Sequence, residues 1–179
     1  MRKFLVAATF TALILVPAAA RAGFILEASV GKGYQVTTPR DWTQSNLMLA
    51  PGYAPSLPVL SMLKFQLGIA ADFADKSGTS TDLELRPMIS LVPPILPLYG
   101  RLILVVNNLL ERTGKRELAY GGALGARIGL PSIGFVPAFG VFAEAAALPR
   151  SHEYGTESGG TESKIFWVVE GRLGAYLNF

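Results

Sequence analysis

The stretch 170-EGRLGAYLNF-179, Glu170 to Phe179, ends on an aromatic ring, whereas chain ends are ordinarily polar and frayed. Extended back to Lys164 and read at every second residue, it separates into two faces. Ile165, Trp167, Val169, Gly171, Leu173, Ala175, Leu177 and Phe179 carry no charge, while Lys164, Glu170, Arg172 and Asn178 share the opposite face with Phe166, Val168, Gly174 and Tyr176. A period of two predicts a strand with unlike faces.

The same division recurs upstream. Leu63, Phe65, Leu67, Ile69, Ala71 and Phe73 oppose Lys64, Gln66, Gly68, Ala70 and Asp72; Leu118, Tyr120, Gly122, Leu124, Ala126 and Ile128 oppose Glu117, Ala119, Gly121, Ala123, Gly125 and Arg127; Leu83, Leu85, Ile89 and Leu91 oppose Glu84, Arg86, Met88 and Ser90. Periodicity does not say which face is inside. The glycines do: Gly68, Gly121 and Gly125 lie among the charges, where a solvated face gains nothing from them. On the concave wall of a narrow barrel they make room for Lys and Arg side chains. The polar faces therefore read as an interior and the bulky faces as an apolar exterior.

Eight such segments are predicted: 24–35, 43–50, 59–73, 82–92, 97–107, 117–129, 133–147 and 163–179. Their connections alternate between polar ("ADKSGTSTD", "PRSHEYGTESGGTES") and proline-rich, nearly uncharged ("PGYAPSLP", "VPPILP", "GLPS"). That alternation suits an up-and-down barrel with long loops at one rim and tight turns at the other. Pro87 and Pro137 oppose this reading, since each removes a ladder donor. Leu98, Leu102, Val105, Leu109 and Arg112 also fall at a helical spacing, so a helix there stays an alternative.

The first 22 residues read differently. A basic start (Arg2, Lys3), an uncharged run "FLVAATFTALILV", and Ala20 and Ala22 in an A-x-A pattern predict a secretory signal peptide, residues 1–22, cut after Ala22. The apolar run is short for a membrane-spanning helix. Without Arg2, Lys3 and Arg21 the 16 basic residues fall to 13, equal to the 13 acidic ones. The formal charge of +3 thus belongs to the precursor and gives no argument for nucleic-acid binding.

In length, leader and strand pattern the chain resembles the small eight-stranded outer-membrane β-barrel proteins, the OmpA-, OmpW- and OmpX-like barrels. Such proteins end in an assembly signal, and Arg172, Gly174, Leu177 and Phe179 fall on its polar, glycine, hydrophobic and aromatic positions in order. The resemblance implies an all-β, eight-stranded antiparallel transmembrane barrel over residues 23–179. It also implies recognition by barrel-assembly machinery and residence in the cell outer membrane, among its lipid and lipopolysaccharide. Phe179 and Trp167 would then stand at opposite aromatic girdles, roughly 30 Å apart along the normal.

Chemistry-bearing motifs are sparse. With no cysteine and one histidine, thiolate and multi-histidine metal sites are excluded, and no cofactor is expected. "SMLK" (Ser61 to Lys64) matches S-x-x-K, but its companion signatures are missing and its Ser and Lys fall on opposite faces of a strand. "GGALGARIG" lacks the strand–turn–helix setting of a nucleotide loop. His152, beside Ser151 and Glu153, leaves open a lipid A-modifying hydrolase, although sequence neighbours do not make a triad. A soluble lipocalin-like barrel, bulky faces inward, is the other alternative. The informative set is the inward-facing charges: Glu27, Lys64, Asp72, Glu84, Arg86, Arg101, Glu117, Arg127, Glu144, Lys164, Glu170 and Arg172. Six acids and six bases predict a paired network filling a non-catalytic lumen, with pairs across neighbouring strands such as Glu84 or Asp72 with Lys64 or Arg86, and Glu170 with Arg127 or Arg172.

Overall fold

The computed structural model describes residues 23–37, 40–55, 62–72, 83–93, 96–106, 109, 118–130, 133, 136–155 and 161–179. The expected signal peptide and its cleavage site lie outside these residues. The strands are β1 (Phe24–Gln35), β2 (Asp41–Tyr53), β3 (Leu63–Asp72), β4 (Leu83–Leu91), β5 (Leu98–Val106), β6 (Leu118–Leu130), β7 (Ala138–Gly155) and β8 (Thr161–Asn178). Each pairs antiparallel with its neighbours in sequence, and β8 pairs with β1, closing an eight-stranded barrel.

The register fixes the shape. Following directly opposed residues from Phe24 leads through Tyr53, Phe65, Ile89, Leu102, Gly122, Ala147 and Val169 back to β1 at Tyr34. One circuit therefore climbs ten residues, from position 24 to 34. Ten residues at about 3.3 Å, shared among eight strands about 4.8 Å apart, set a strand tilt of about 40° and lift Tyr34 about 25 Å above Phe24 along the barrel axis.

Alternation along each strand becomes inside and outside. β1, β4 and β5 alternate buried and more exposed residues along nearly their whole length. Leu67, Leu102, Leu124, Ile128 and Leu173 point outward and are 43, 70, 75, 75 and 63% exposed. Aromatic side chains ring this apolar exterior at two heights. Phe24, Tyr53, Phe65, Phe139 and Phe179 stand at the rim bearing the short turns; Tyr34, Trp42, Tyr120 and Trp167 stand towards the other. Phe24 packs on Phe179 with ring centroids 5.8 Å apart, and Tyr34 on Trp42 at 5.3 Å.

Several boundaries differ from expectation. β2 reaches Tyr53 rather than 50 because its ladder with β1 continues through Leu26↔Pro51 to Phe24↔Tyr53. On its other side the β2–β3 ladder has no pair between Leu49↔Ile69 and Gly52↔Gln66, so Pro51 sits where pairing lapses. Pro87 finds the same solution. It keeps its place opposite Leu67, while the β4–β5 ladder lapses between Leu85↔Val106 and Met88↔Ile103 without a change of register. No bulge is needed at either proline. The one register shift in β1–β2 lies between Lys32 and Tyr34, where the Gly33 amide donates to Thr43 Oγ1 at 3.0 Å.

The segment 98–106 is strand, not helix. β7 starts at Ala138, after Pro137, and the expected first residues 133–137 instead contain an isolated Ile133↔Val136 bridge. Most of the polar stretch 149–163, expected as a loop, is hairpin: β7 and β8 stay paired up to Gly155↔Thr161.

Two inward glycines are required by what lies over them. A Cβ on Gly125 would stand 2.6 Å from the Tyr99 ring, and one on Gly174 2.5 Å from the Phe142 ring. The rings lie against bare backbone and meet each other edge to face, centroids 6.4 Å apart. Gly125→Val should therefore lower unfolding stability by about 1–3 kcal/mol, an overpacking cost, read from urea unfolding of the reconstituted protein. Unchanged stability would mean that Tyr99 is free to move aside.

A charged lumen as the candidate functional site

The barrel tilt stacks inward side chains in layers. Near the short-turn rim lie Tyr99, Phe142 and Tyr176, a buried aromatic cluster, with two cations beside it. Arg127 Cζ is 4.7 Å, and Lys64 Nζ 5.8 Å, from the centre of the Tyr176 ring. Lys64 is buried, and its ammonium has no hydrogen-bond partner among the described residues. The Nε2 of Gln66, one layer up, also lacks one.

The middle layer is organised by Arg101. Its guanidinium pairs with Glu27 at 2.7 Å and Glu144 at 3.2 Å, donates to Ser90 Oγ at 2.9 Å, and lies against the Tyr99 and Phe142 rings. The Tyr99 hydroxyl donates to Glu144 at 2.7 Å. The upper layer is organised by Glu170, fully buried at 0% exposure. It accepts from Arg86 at 3.1 Å, from the Asn46 amide at 3.0 Å, and from Arg172. Arg86 also pairs with Glu84 at 2.7 Å. Arg172 ties the layers together, donating to Ser29 at 2.9 Å and Asn46 Oδ1 at 2.8 Å and approaching Glu144 at 3.6 Å.

Among the described residues eight charged ones are thus buried: Glu27, Glu84, Glu144 and Glu170 against Lys64, Arg86, Arg101 and Arg172. The partners Glu84–Arg86 and Glu170–Arg172 do meet, but within one strand each rather than across neighbouring strands, and Arg86 additionally spans to Glu170. Arg127 is only half-buried and meets Tyr176 rather than Glu170. Lys64 likewise meets a ring rather than Glu84. Glu117 lies outside the described residues, as do the side chains of Asp72, Lys164 and His152.

Charge alone did not find the neutral members of the network. Ser29, Asn46, Gln66, Ser90 and Tyr99 supply many of its hydrogen bonds, and strand parity was the signal that would have located them. Nor is the lumen charged all round. Met48, Ala50, Ala70, Met88, Ile103, Val105, Ala123, Ala146 and Leu148 form a buried apolar cluster on the wall from β2 to β7. The segment "LILVV" is apolar on both faces because Ile103 and Val105 fill that wall.

Neither a family model nor a curated protein sequence matches the chain. Among solved structures, Neisserial surface protein A (NspA) superposes with a TM-score of 0.50 over 87% of this chain and 95% of its own, at 11% identity. The fold is that of NspA. The N-terminal β-barrel domain of Pseudomonas aeruginosa OprF aligns over 88% of this chain and 99% of its own, with TM-score 0.48 and 16% identity.

Because Glu170 neutralises two guanidinium groups, Glu170→Ala should leave Arg86 and Arg172 short of an acceptor. A loss of about 3–5 kcal/mol is expected, measured by urea unfolding in vesicles. Adding Arg172→Met to Glu170→Ala should recover part of it. Strictly additive losses in the double variant would show that the pair is not coupled.

Proposed function

We propose that this chain is an integral outer-membrane barrel whose role is structural or surface-directed rather than catalytic, with a lumen closed by its own side chains. The observation that carries the reading is the inversion of the fold. The large apolar residues face out around a closed barrel, between two aromatic girdles, and the charges face in. The rise of about 25 Å from Phe24 to Tyr34 along the tilted β1 matches the apolar band of an outer-membrane barrel. Closure leaves no sheet edge with unsatisfied backbone groups, the condition for a sheet to cross hydrocarbon. A soluble lipocalin-like barrel needs its bulky residues around an inner cavity, and here they are outside.

On this reading residues 1–22 are removed after Ala22 during export, and Arg172, Gly174, Leu177 and Phe179 form the signal read by barrel-assembly machinery. Arg172 then has two successive roles, a polar position in the unfolded signal and a lumen cation in the folded barrel. The lumen residues act by filling. An eight-stranded barrel has an interior just wide enough for side chains, and here the ion-paired half and the apolar half occupy it together.

The test is heat-modifiable gel mobility of the protein extracted from outer membranes, for wild type and Leu67→Arg. Leu67 sits at mid-height on the outer face, so Arg there should cost about 2–4 kcal/mol in a bilayer and reduce the folded band. Folding of Leu67→Arg at wild-type yield in lipid would invert the assignment of faces. Planar-bilayer recording tests the closed lumen. No single-channel events above the detergent control are expected, and stable currents from the pure protein would replace the plug with a pore.

A further inference from the structure

Between the two aromatic girdles, one charged residue faces outward among the described residues: Lys32. Its cross-strand partners are Ser45 on β2 and Gly171 on β8. Ser45 is polar, and Gly171 presents no side chain. A cation on an apolar belt is costly, so this placement calls for an explanation beyond the barrel's own stability.

Lys32 ends a groove. A surface depression of about 940 Å³ runs from Leu98 on β5 to Lys32 and Ser45, across Leu124, Ala145 and Gly171. Its upper margin follows one row of directly opposed residues, Leu124↔Ala145↔Gly171↔Lys32↔Ser45. A row perpendicular to tilted strands climbs the barrel. The four inter-strand steps of that row, about 4.8 Å each at a tilt of about 40°, rise about 12 Å, most of the depth of one leaflet of a hydrocarbon core about 30 Å thick. The groove is smooth because its middle is Ala and Gly. A Cβ built on Gly171 finds only the Lys32 carbonyl oxygen, at 4.0 Å, so its outer side is open. Lys32 Nζ lies 5.6 Å from the centre of the Trp42 ring, drawn towards the girdle nearer the long loops.

We propose that this groove is a lipid site, taking an acyl chain along β6–β8 and a phosphate at Lys32. Because Lys32 stands near the rim bearing the long loops, the occupant is the phosphorylated glycolipid of the outer leaflet, lipopolysaccharide, held through its lipid A. Ser45 adds a hydroxyl donor beside the ammonium, and Trp42 stands at the depth of the glycolipid's sugar. The proposal rests on the outer-membrane reading above.

Refolded protein is first scored for heat-modifiable mobility, which tests that reading separately. The folded fraction is then titrated with hexa-acyl diphosphoryl lipid A, dephosphorylated lipid A and phosphatidylglycerol, and binding is read by native mass spectrometry. Wild type should prefer the diphosphoryl form. Lys32→Ala should weaken that form about fivefold and leave the dephosphorylated one unchanged. Gly171→Leu, which fills the groove from outside without entering the barrel, should weaken both lipid A forms. Gly122→Leu, also on the outer face, serves as the control and should weaken neither. Equal affinity for lipid A and phosphatidylglycerol, or no response to either groove variant, would overturn the proposal.

Discussion

Everything in this barrel follows from the ladder that joins β8 to β1. Ile25↔Asn178 to Gln35↔Val168 run without a break, and with them the barrel wall closes on itself. Closure removes the unpaired row of backbone donors and acceptors that an open sheet presents. It also fixes the stagger, because a closed ladder must return to its first strand at a definite residue, here ten positions on. Tilt and diameter are then determined together, and strand length at that tilt sets the height. The side chains do not choose these quantities; they occupy the two surfaces that closure creates.

Those surfaces impose opposite demands. The outer one rises about 25 Å between girdles and tolerates almost any large apolar residue. The inner one is narrow, so each side chain is constrained by those across the lumen. Tyr99 and Phe142 fit because Gly125 and Gly174 offer bare backbone beneath them. Arg101 fits because Glu27, Glu144, Ser90 and two ring faces receive its donors and its plane. Buried ion pairs seldom add net stability over apolar filling, since desolvation offsets the attraction. Their contribution here is to specify register. Moving a strand by one residue would send its charges to the apolar exterior.

The sequence made the wall legible and the packing much less so. A period of two survives translation into structure because nothing in the lumen reverses which way a strand residue points. All eight strands, their order and the closed antiparallel topology could therefore be read before any coordinates. Errors fell where pairing depends on a partner's length. β2 continues to Tyr53 because β1 offers Phe24 opposite it, and β7 and β8 continue together into a polar stretch whose composition suggested a loop. Proline was an uneven guide to interruption, since β7 does begin only after Pro137. Pro51 and Pro87 each keep one neighbour and face a lapse in the other ladder.

The charges show the same limit. Parity assigned Glu27, Glu84, Arg86, Arg101, Glu144, Glu170 and Arg172 to the interior, and they are buried there. It did not determine who meets whom, because partners are set by height, and height depends on the stagger. Arg86 reaches Glu170 from β4 to β8 across the lumen, a contact no local pattern encodes. Lys64 shows what happens where heights do not match. It lies in the aromatic layer near the short-turn rim, while Glu84 lies high on the adjoining strand and pairs with Arg86. That ammonium lies instead over the Tyr176 ring, which it shares with Arg127. A ring face attracts a cation but takes no hydrogen bond of ordinary strength. The charge network is thus tightest in the middle and upper lumen, around Arg101 and Glu170, and gives way near the short-turn rim to rings that close the barrel by volume.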